Sequence, residues 1–124
     1  MPPKLPARMP HPLMPATDLM VGGDATVLMA MHVLDNNAAR IALVVDAQKR
    51  LIGSVVDGDI RRGILRGATL DSPVRDLMHK TPYTLPLSAP RQQILETMRT
   101  LEIKQIPLLA EDGTIAGIVI HDIL

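Results

Sequence analysis

The sequence contains no cysteine, which excludes disulfides, thiolate metal sites and a cysteine nucleophile and is compatible with a reducing cytosol. Aromatic residues are nearly missing too. Tyr83 is the only one, with no Phe or Trp, so a base-stacking platform for single-stranded nucleic acid is excluded. Charge of one sign is not in excess: 13 Lys and Arg face 13 Asp and Glu, whereas a phosphate-backbone binder needs a clear positive surplus. No apolar run reaches the length of a membrane span, and the N-terminus has no apolar signal segment. No nucleic acid and no membrane are therefore expected as partners, and a cytoplasmic location is. What is present is a 124-residue chain of 47% hydrophobic residues, enough to build a core from Ile, Leu, Val, Met and Ala.

Six of the eleven prolines fall in residues 1–15. They can support neither a helix nor a full strand ladder, so this segment reads as an extended tail, with a proline-rich ligand for a partner as the alternative. The remainder is an internal repeat. An ungapped shift of 64 places Asp24-Ala25 on Ser88-Ala89, Met31 on Leu95, Leu34 on Met98, Val44-Val45 on Leu108-Leu109, and Gly53 on Gly117.

Each copy opens with a short extended piece, Met20-Val21 or Tyr83 to Leu85. Asp24 and Ser88 are N-cap residue types, and Pro90 suits a first helical turn. Helix faces follow, of Val27, Leu28, Met31 and Leu34 in one copy and Ile94, Leu95, Met98 and Leu101 in the other. Then come paired apolar runs, Ile41 to Val45 with Leu51 to Val56, and Ile106 to Leu109 with Ile115 to Ile120. Their continuous apolarity predicts strands covered on both faces. A closing helix from Ile60 to Arg66 is opened by Asp57-Gly58-Asp59 and ended by Gly67, and a short helix from Val74 to His79 links the copies. The second copy stops before most of its own closing helix, so the chain reads as a fragment of a longer protein carrying a further C-terminal domain.

Two such units of about 60 residues, each with a glycine in its last strand and an acidic start to the next helix in the first copy, resemble a tandem CBS-domain pair, the Bateman module. The segments that carry the resemblance are Ile41 to Asp46, Leu51 to Ile60, Gln105 to Leu109 and Ile115 to Ile120. It implies a mixed α/β (α+β) fold of two pseudo-symmetric repeats, each a small sheet flanked by two helices, at 16–68 and 69–124. The run Asp57 to Gly63 is similar to the CBS pairs that precede bacterial sugar-phosphate nucleotidyltransferase domains, which implies such an attached domain. The family commonly pairs modules through helical faces, and the helices here carry Met, Leu and Ile that a small domain cannot wholly cover, so a homodimer is expected.

The resemblance further implies an adenosine nucleotide, AMP, ADP or ATP, as a regulatory ligand between the repeats. The family pattern is Gly, two apolar residues, Ser or Thr, two of any kind, then Asp. Gly53 and Asp59 keep it, but Val56 stands at the hydroxyl position. In the second copy Ile120 replaces the hydroxyl, Ile123 replaces the acid, and Asp122 comes one position early. A carboxylate accepts from two ribose hydroxyls, and a helix N-terminus favours phosphate. Asp57 and Asp59 are equally readable as helix caps. Arg61, Arg62 and Arg66 could grip phosphate, Arg62 foremost, or form a solvated face. Arg40 and Lys104 are equivalent cations just before strands, and His121 stands where Asp57 does. With the strand-start residues Met20, Val21, Ile41, Thr84, Ile106 and Pro107, these make up the expected ligand-binding set.

The histidines show no metal-binding spacing, the serines no nucleophile elbow, and no carboxylate pair suggests acid-base chemistry. The expected function is therefore a non-catalytic nucleotide sensor that modulates its attached domain. The alternative is a ligand-free dimerisation module, which the lost hydroxyl and acidic positions favour.

Overall fold

The computed structural model describes residues 13–121 and forms two compact units. The first is residues 18–82; the second is residues 83–121 together with residues 13–17. The sequence-based boundary near residue 68 differs from this division. The chain up to Pro82 stays with the first unit because Pro73 bridges to Thr26 and Val74 is fully buried in a core with Val27, Leu34 and Val55. Asp122 and most of residues 1–15 lie outside the described residues.

In the first unit β1 (Met20–Gly22) runs parallel to β2 (Ala42–Val45), which pairs antiparallel with β3 (Leu51–Val55); α1 (Val27–Asp35) joins β1 to β2, and α2 (Asp57–Leu65) follows β3. In the second, β4 (Leu85–Pro86), α3 (Arg91–Leu101), β5 (Gln105–Leu109) and β6 (Ile115–Ile120) repeat the pattern in the order β4-β5-β6. The architecture is the mixed α+β one expected. The 64-residue shift holds at the level of register: Val21 opposite Val44 becomes Leu85 opposite Leu108, and Ala42 opposite Val55 becomes Ile106 opposite Val119. Even the irregularity between Val44 and Val45 recurs between Leu108 and Leu109. β2 is buried throughout, as a strand covered on both faces should be. The expected second flanking helix of the later repeat lies outside the described residues.

Both sheets take one more chain segment on their outer edge. Met14 exchanges two backbone hydrogen bonds with Ile118 of β6 (2.9 and 3.0 Å), and His79 does the same with Ser54 of β3 (3.0 and 2.8 Å). Residue 13 or 78 then crosses directly over a glycine. A Cβ on Gly117 would lie 2.6 Å from Leu13 Cγ and 2.7 Å from the Met14 carbonyl oxygen, and one on Gly53 would lie 2.9 Å from Met78 Cγ and 3.1 Å from the His79 carbonyl oxygen. The end of the proline-rich tail is thus strand-like edge structure; Met14 retains the N–H that its proline neighbours lack.

Several local expectations are corrected. Asp24 does not cap α1: Thr26 does, its Oγ1 accepting from Met29 N–H (3.2 Å), while Asp24 pairs with Arg75. Ser88 caps nothing, and Pro90 occupies the N-cap position of α3 instead of its first turn. The buried stripe of α1 is Val27, Ala30 and Leu34; Leu28 and Met31 face solvent, because a helix apolar all round leaves the choice of face to the sheet it meets. α2 begins at Asp57 and ends at Leu65, and the linking helix is a single 3-10 turn, Val74–Asp76.

Candidate functional site

The start of α2 gathers four of the expected residues. Val56 is extended (φ −121°, ψ 172°) and serves as N-cap, but its side chain offers no acceptor. Asp59 supplies half of a capping box, its Oδ2 accepting from the Val56 N–H at 2.9 Å. Its other oxygen takes the Arg62 guanidinium at 2.9 Å, and that guanidinium folds back over Gly58. Asp59 is largely buried, at 15% side-chain exposure, so its orientation is fixed before any ligand arrives. Asp57 is not the cap. It faces outward and pairs with Arg40 at 3.2 Å, and with both side chains more than 60% exposed this pair adds little stability.

Arg40 is also held by its backbone. Its φ of 53° is the left-handed conformation, unfavourable for a side-chain-bearing residue, and the Asn37 side chain fixes it by accepting from Arg40 N–H at 2.7 Å. The same amide donates to the Val33 and Ile41 carbonyls, so Asn37 ties the end of α1 to the start of β2. The sequence reading missed Asn37. The available signal was an Asn at a helix end, where its side chain mimics a turn.

The remaining expected residues divide by unit. Met20 and Val21 are half-buried in β1, and Ile41 is buried beside β2. In the second unit Thr84 is half-buried before β4, while Ile106 and Pro107 are buried within β5. Lys104 and His121 are exposed and adjacent, the His121 N–H donating to the Lys104 carbonyl at 2.8 Å. They repeat the Arg40–Asp57 pair at the 64-residue shift. Both line an open cavity of about 610 Å³ with Leu95, Met98, Arg99, Glu102 and Ile103. Met98 is the counterpart of Leu34, which in the first unit shares its core with Ile60 of α2.

Val56→Thr tests the empty half of the capping box. A Thr Oγ1 there can accept from the Asp59 N–H, which now turns back to the Val56 carbonyl at 3.0 Å. The expected gain is about 0.5–1 kcal/mol, read as a higher urea midpoint. A lower midpoint would mean that the hydroxyl finds no donor.

The CBS domain sequence pattern matches this chain twice, over residues 13–66 and 74–124. The chain belongs to the CBS domain family. The first match of this CBS pair begins at the residue that crosses Gly117, and together the matches cover both sheets. The arabinose 5-phosphate isomerase GutQ of Shigella flexneri is 30% identical over 109 residues, covering 86% of this chain and 34% of the isomerase. The Escherichia coli K12 protein of that name is equally similar. The CBS pair thus spans about a third of the length of these curated relatives. They are not nucleotidyltransferases, and the expected kinship with that group finds no support among them.

Solved structures of the same fold include the CBS domains of a Streptococcus pneumoniae transcriptional regulator (TM-score 0.77, 14% identity, 90% of each chain). A second is the Pyrobaculum aerophilum CBS domain protein PAE2072, complexed with AMP (TM-score 0.75, 22% identity, 86% of this chain and 82% of that one). A third is the CBS pair of protein MJ0100 with methylthioadenosine and S-adenosyl-L-methionine (TM-score 0.75, 16% identity, 91% and 90%). Among the described residues no helix is long and apolar enough to cross a membrane, and no group of three or more potential metal ligands comes together.

Proposed function

We propose that this CBS pair is a non-catalytic regulatory module that binds an adenosine nucleotide, AMP, ADP or ATP, and modulates an attached sugar-phosphate isomerase domain. The observation that carries the reading is Asp59, held at the first turn of α2 with Arg62 against it and the Arg40–Asp57 pair exposed nearby. An oriented carboxylate suits ribose hydroxyls, and guanidinium groups beside a helix N-terminus suit phosphate. AMP in the Pyrobaculum neighbour and adenosyl ligands in MJ0100 favour the ligand class. The isomerase names of the curated relatives favour the attached domain, in place of a nucleotidyltransferase. For regulation the nucleotide must bind two arrangements of the protein with different affinity.

We also infer that the module is a homodimer, since Leu28, Met29 and Met31 of α1 and Ile64 and Leu65 of α2 are exposed. A ligand-free dimerisation role is the second reading. It is favoured by the missing hydroxyls at Val56 and Ile120 and by the contacts that already occupy Asp59.

Calorimetric titration with AMP, ADP, ATP and GMP tests the proposal. Adenine nucleotides are expected to bind and to raise the melting temperature, with ligand at a hundred times its dissociation constant adding about 2.7 kcal/mol. No binding by any of them selects the scaffold reading. Isomerisation of arabinose 5-phosphate by the longer protein, measured with and without the nucleotide that binds, then tests the attachment.

A further inference from the structure

The carboxylate expected to receive a ribose is already occupied. Asp59 Oδ2 accepts from the Val56 N–H at 2.9 Å, and Oδ1 accepts from the Arg62 guanidinium at 2.9 Å. Only 15% of the Asp59 side chain is exposed against 52% of Arg62, which puts the guanidinium on the solvent side of the carboxylate. Gly58 prepares its resting place. A Cβ there would lie 3.0 Å from Arg62 Nη1 and 3.2 Å from Nη2, so the missing side chain is what lets the guanidinium settle over the first turn of α2. A ligand hydroxyl approaching Oδ1 therefore meets Arg62 first. The neighbouring Arg40–Asp57 pair, at 3.2 Å, differs in kind, since both of its side chains are more than 60% exposed and either can be reached without parting them.

We infer that Arg62 is a latch on Asp59 that admits phosphorylated nucleosides and turns away the free nucleoside. The inference rests on the nucleotide reading above and specifies which ligands satisfy it. Neutral ribose hydroxyls must displace a charge-assisted bond to a largely buried carboxylate and leave the guanidinium with water alone, so for adenosine the exchange returns little. A phosphate on the same ligand gives the released guanidinium a second anion, one it can hold through two parallel N–H···O bonds near the positive end of α2. Opening the latch is equally unfavourable for both ligands, and only the nucleotide offsets it. Asp59 keeps its cap throughout, because the Val56 N–H uses the other oxygen. The residue equivalent to Asp59 in the second repeat is Ile123, so the device is confined to the first. Linkage adds a signature that a purely structural ion pair lacks: if phosphate draws Arg62 off Asp59, inorganic phosphate alone raises the affinity for adenosine.

Calorimetry with adenosine and with AMP, on the wild-type chain and on Arg62→Ala, tests the latch. Arg62→Ala retains the bond between Asp59 and the Val56 N–H and is expected to fold. It should bind adenosine about threefold more tightly than wild type, the size of effect a partly exposed ion pair supports. Its affinity for AMP should fall about tenfold, since the phosphate loses a charge-assisted partner. Inorganic phosphate, added at constant ionic strength, should tighten adenosine binding to wild type and leave Arg62→Ala unchanged. Adenosine affinity no higher in Arg62→Ala than in wild type, or phosphate without effect on wild type, would overturn the latch, while AMP binding keeps the nucleotide reading standing. Binding of neither adenosine nor AMP to either protein would remove the nucleotide reading and the latch with it.

Discussion

Gly117→Ala is expected to destabilise the second unit by about 2–3 kcal/mol, lowering its melting temperature by roughly 10 °C. The new methyl would lie 2.7 Å from the Met14 carbonyl oxygen and 2.6 Å from Leu13 Cγ. Leu13 can rotate away, but Met14 is backbone, tied to Ile118 by hydrogen bonds of 2.9 and 3.0 Å, so its retreat breaks both. Gly53→Ala should cost less, because much of what it meets is the flexible Met78 side chain. Gly22→Ala, with nothing within 4 Å of the added carbon, is the control and should be close to neutral. Thermal melts of the three variants check the ranking. Equal stability of Gly117→Ala and Gly22→Ala would show that the edge segment does not hold.

The second large effect is at Asp59. Asp59→Ala removes the acceptor for the Val56 N–H and the partner of Arg62 together, so it should lose about 1–2 kcal/mol of stability as well as nucleotide affinity. Asp59→Asn separates the two. An amide oxygen can still accept from Val56 N–H, but an amide lacks the charge that strengthens hydrogen bonds from ribose hydroxyls. Near-normal melting with affinity for the adenosine nucleotide reduced at least tenfold, about 1.4 kcal/mol, is the expected result. Calorimetry giving equal affinity for wild type and Asp59→Asn would assign the carboxylate to helix capping alone.

These two residues show how far the sequence was legible. The 64-residue shift anticipated every strand of both sheets and their equivalence, because apolar runs bounded by polar turns carry a strong signal. Asp59 and Gly117 were recognisable as pattern positions, but their structural work depends on partners remote in sequence or hidden in backbone geometry. Nothing in the string states that Leu13 crosses Gly117. The misplaced caps have a related cause. Asp24 and Ser88 have the right chemistry for capping, yet α1 starts two residues further on, where Ser72 and Leu70 carbonyls from the distant connection accept from Val27 and Leu28 N–H groups at 2.9 and 3.1 Å. The buried face of α1 was ambiguous because nearly every residue from Val27 to Leu34 is apolar. The site was legible as a set of residue types, whereas the capping bond of Asp59 and the left-handed backbone of Arg40 required coordinates.

The pairing of Met14 with Ile118 also bears on the order in which the chain folds. The first unit is continuous, from 18 to 82, and its segments can find one another as soon as they leave the ribosome. The second is split around it: its edge segment is made before the first unit, while the strand that receives it is made after that unit. Closing that roughly hundred-residue loop carries a large entropic cost when the intervening chain is unfolded, and a smaller one once the first unit has condensed and shortened the effective tether. Folding of the continuous unit is thus set to precede completion of the split one. A lesion in residues 13–17 should accordingly leave the early unit intact and slow the late one, placing the kinetic vulnerability of the later repeat on the far side of the earlier one along the chain.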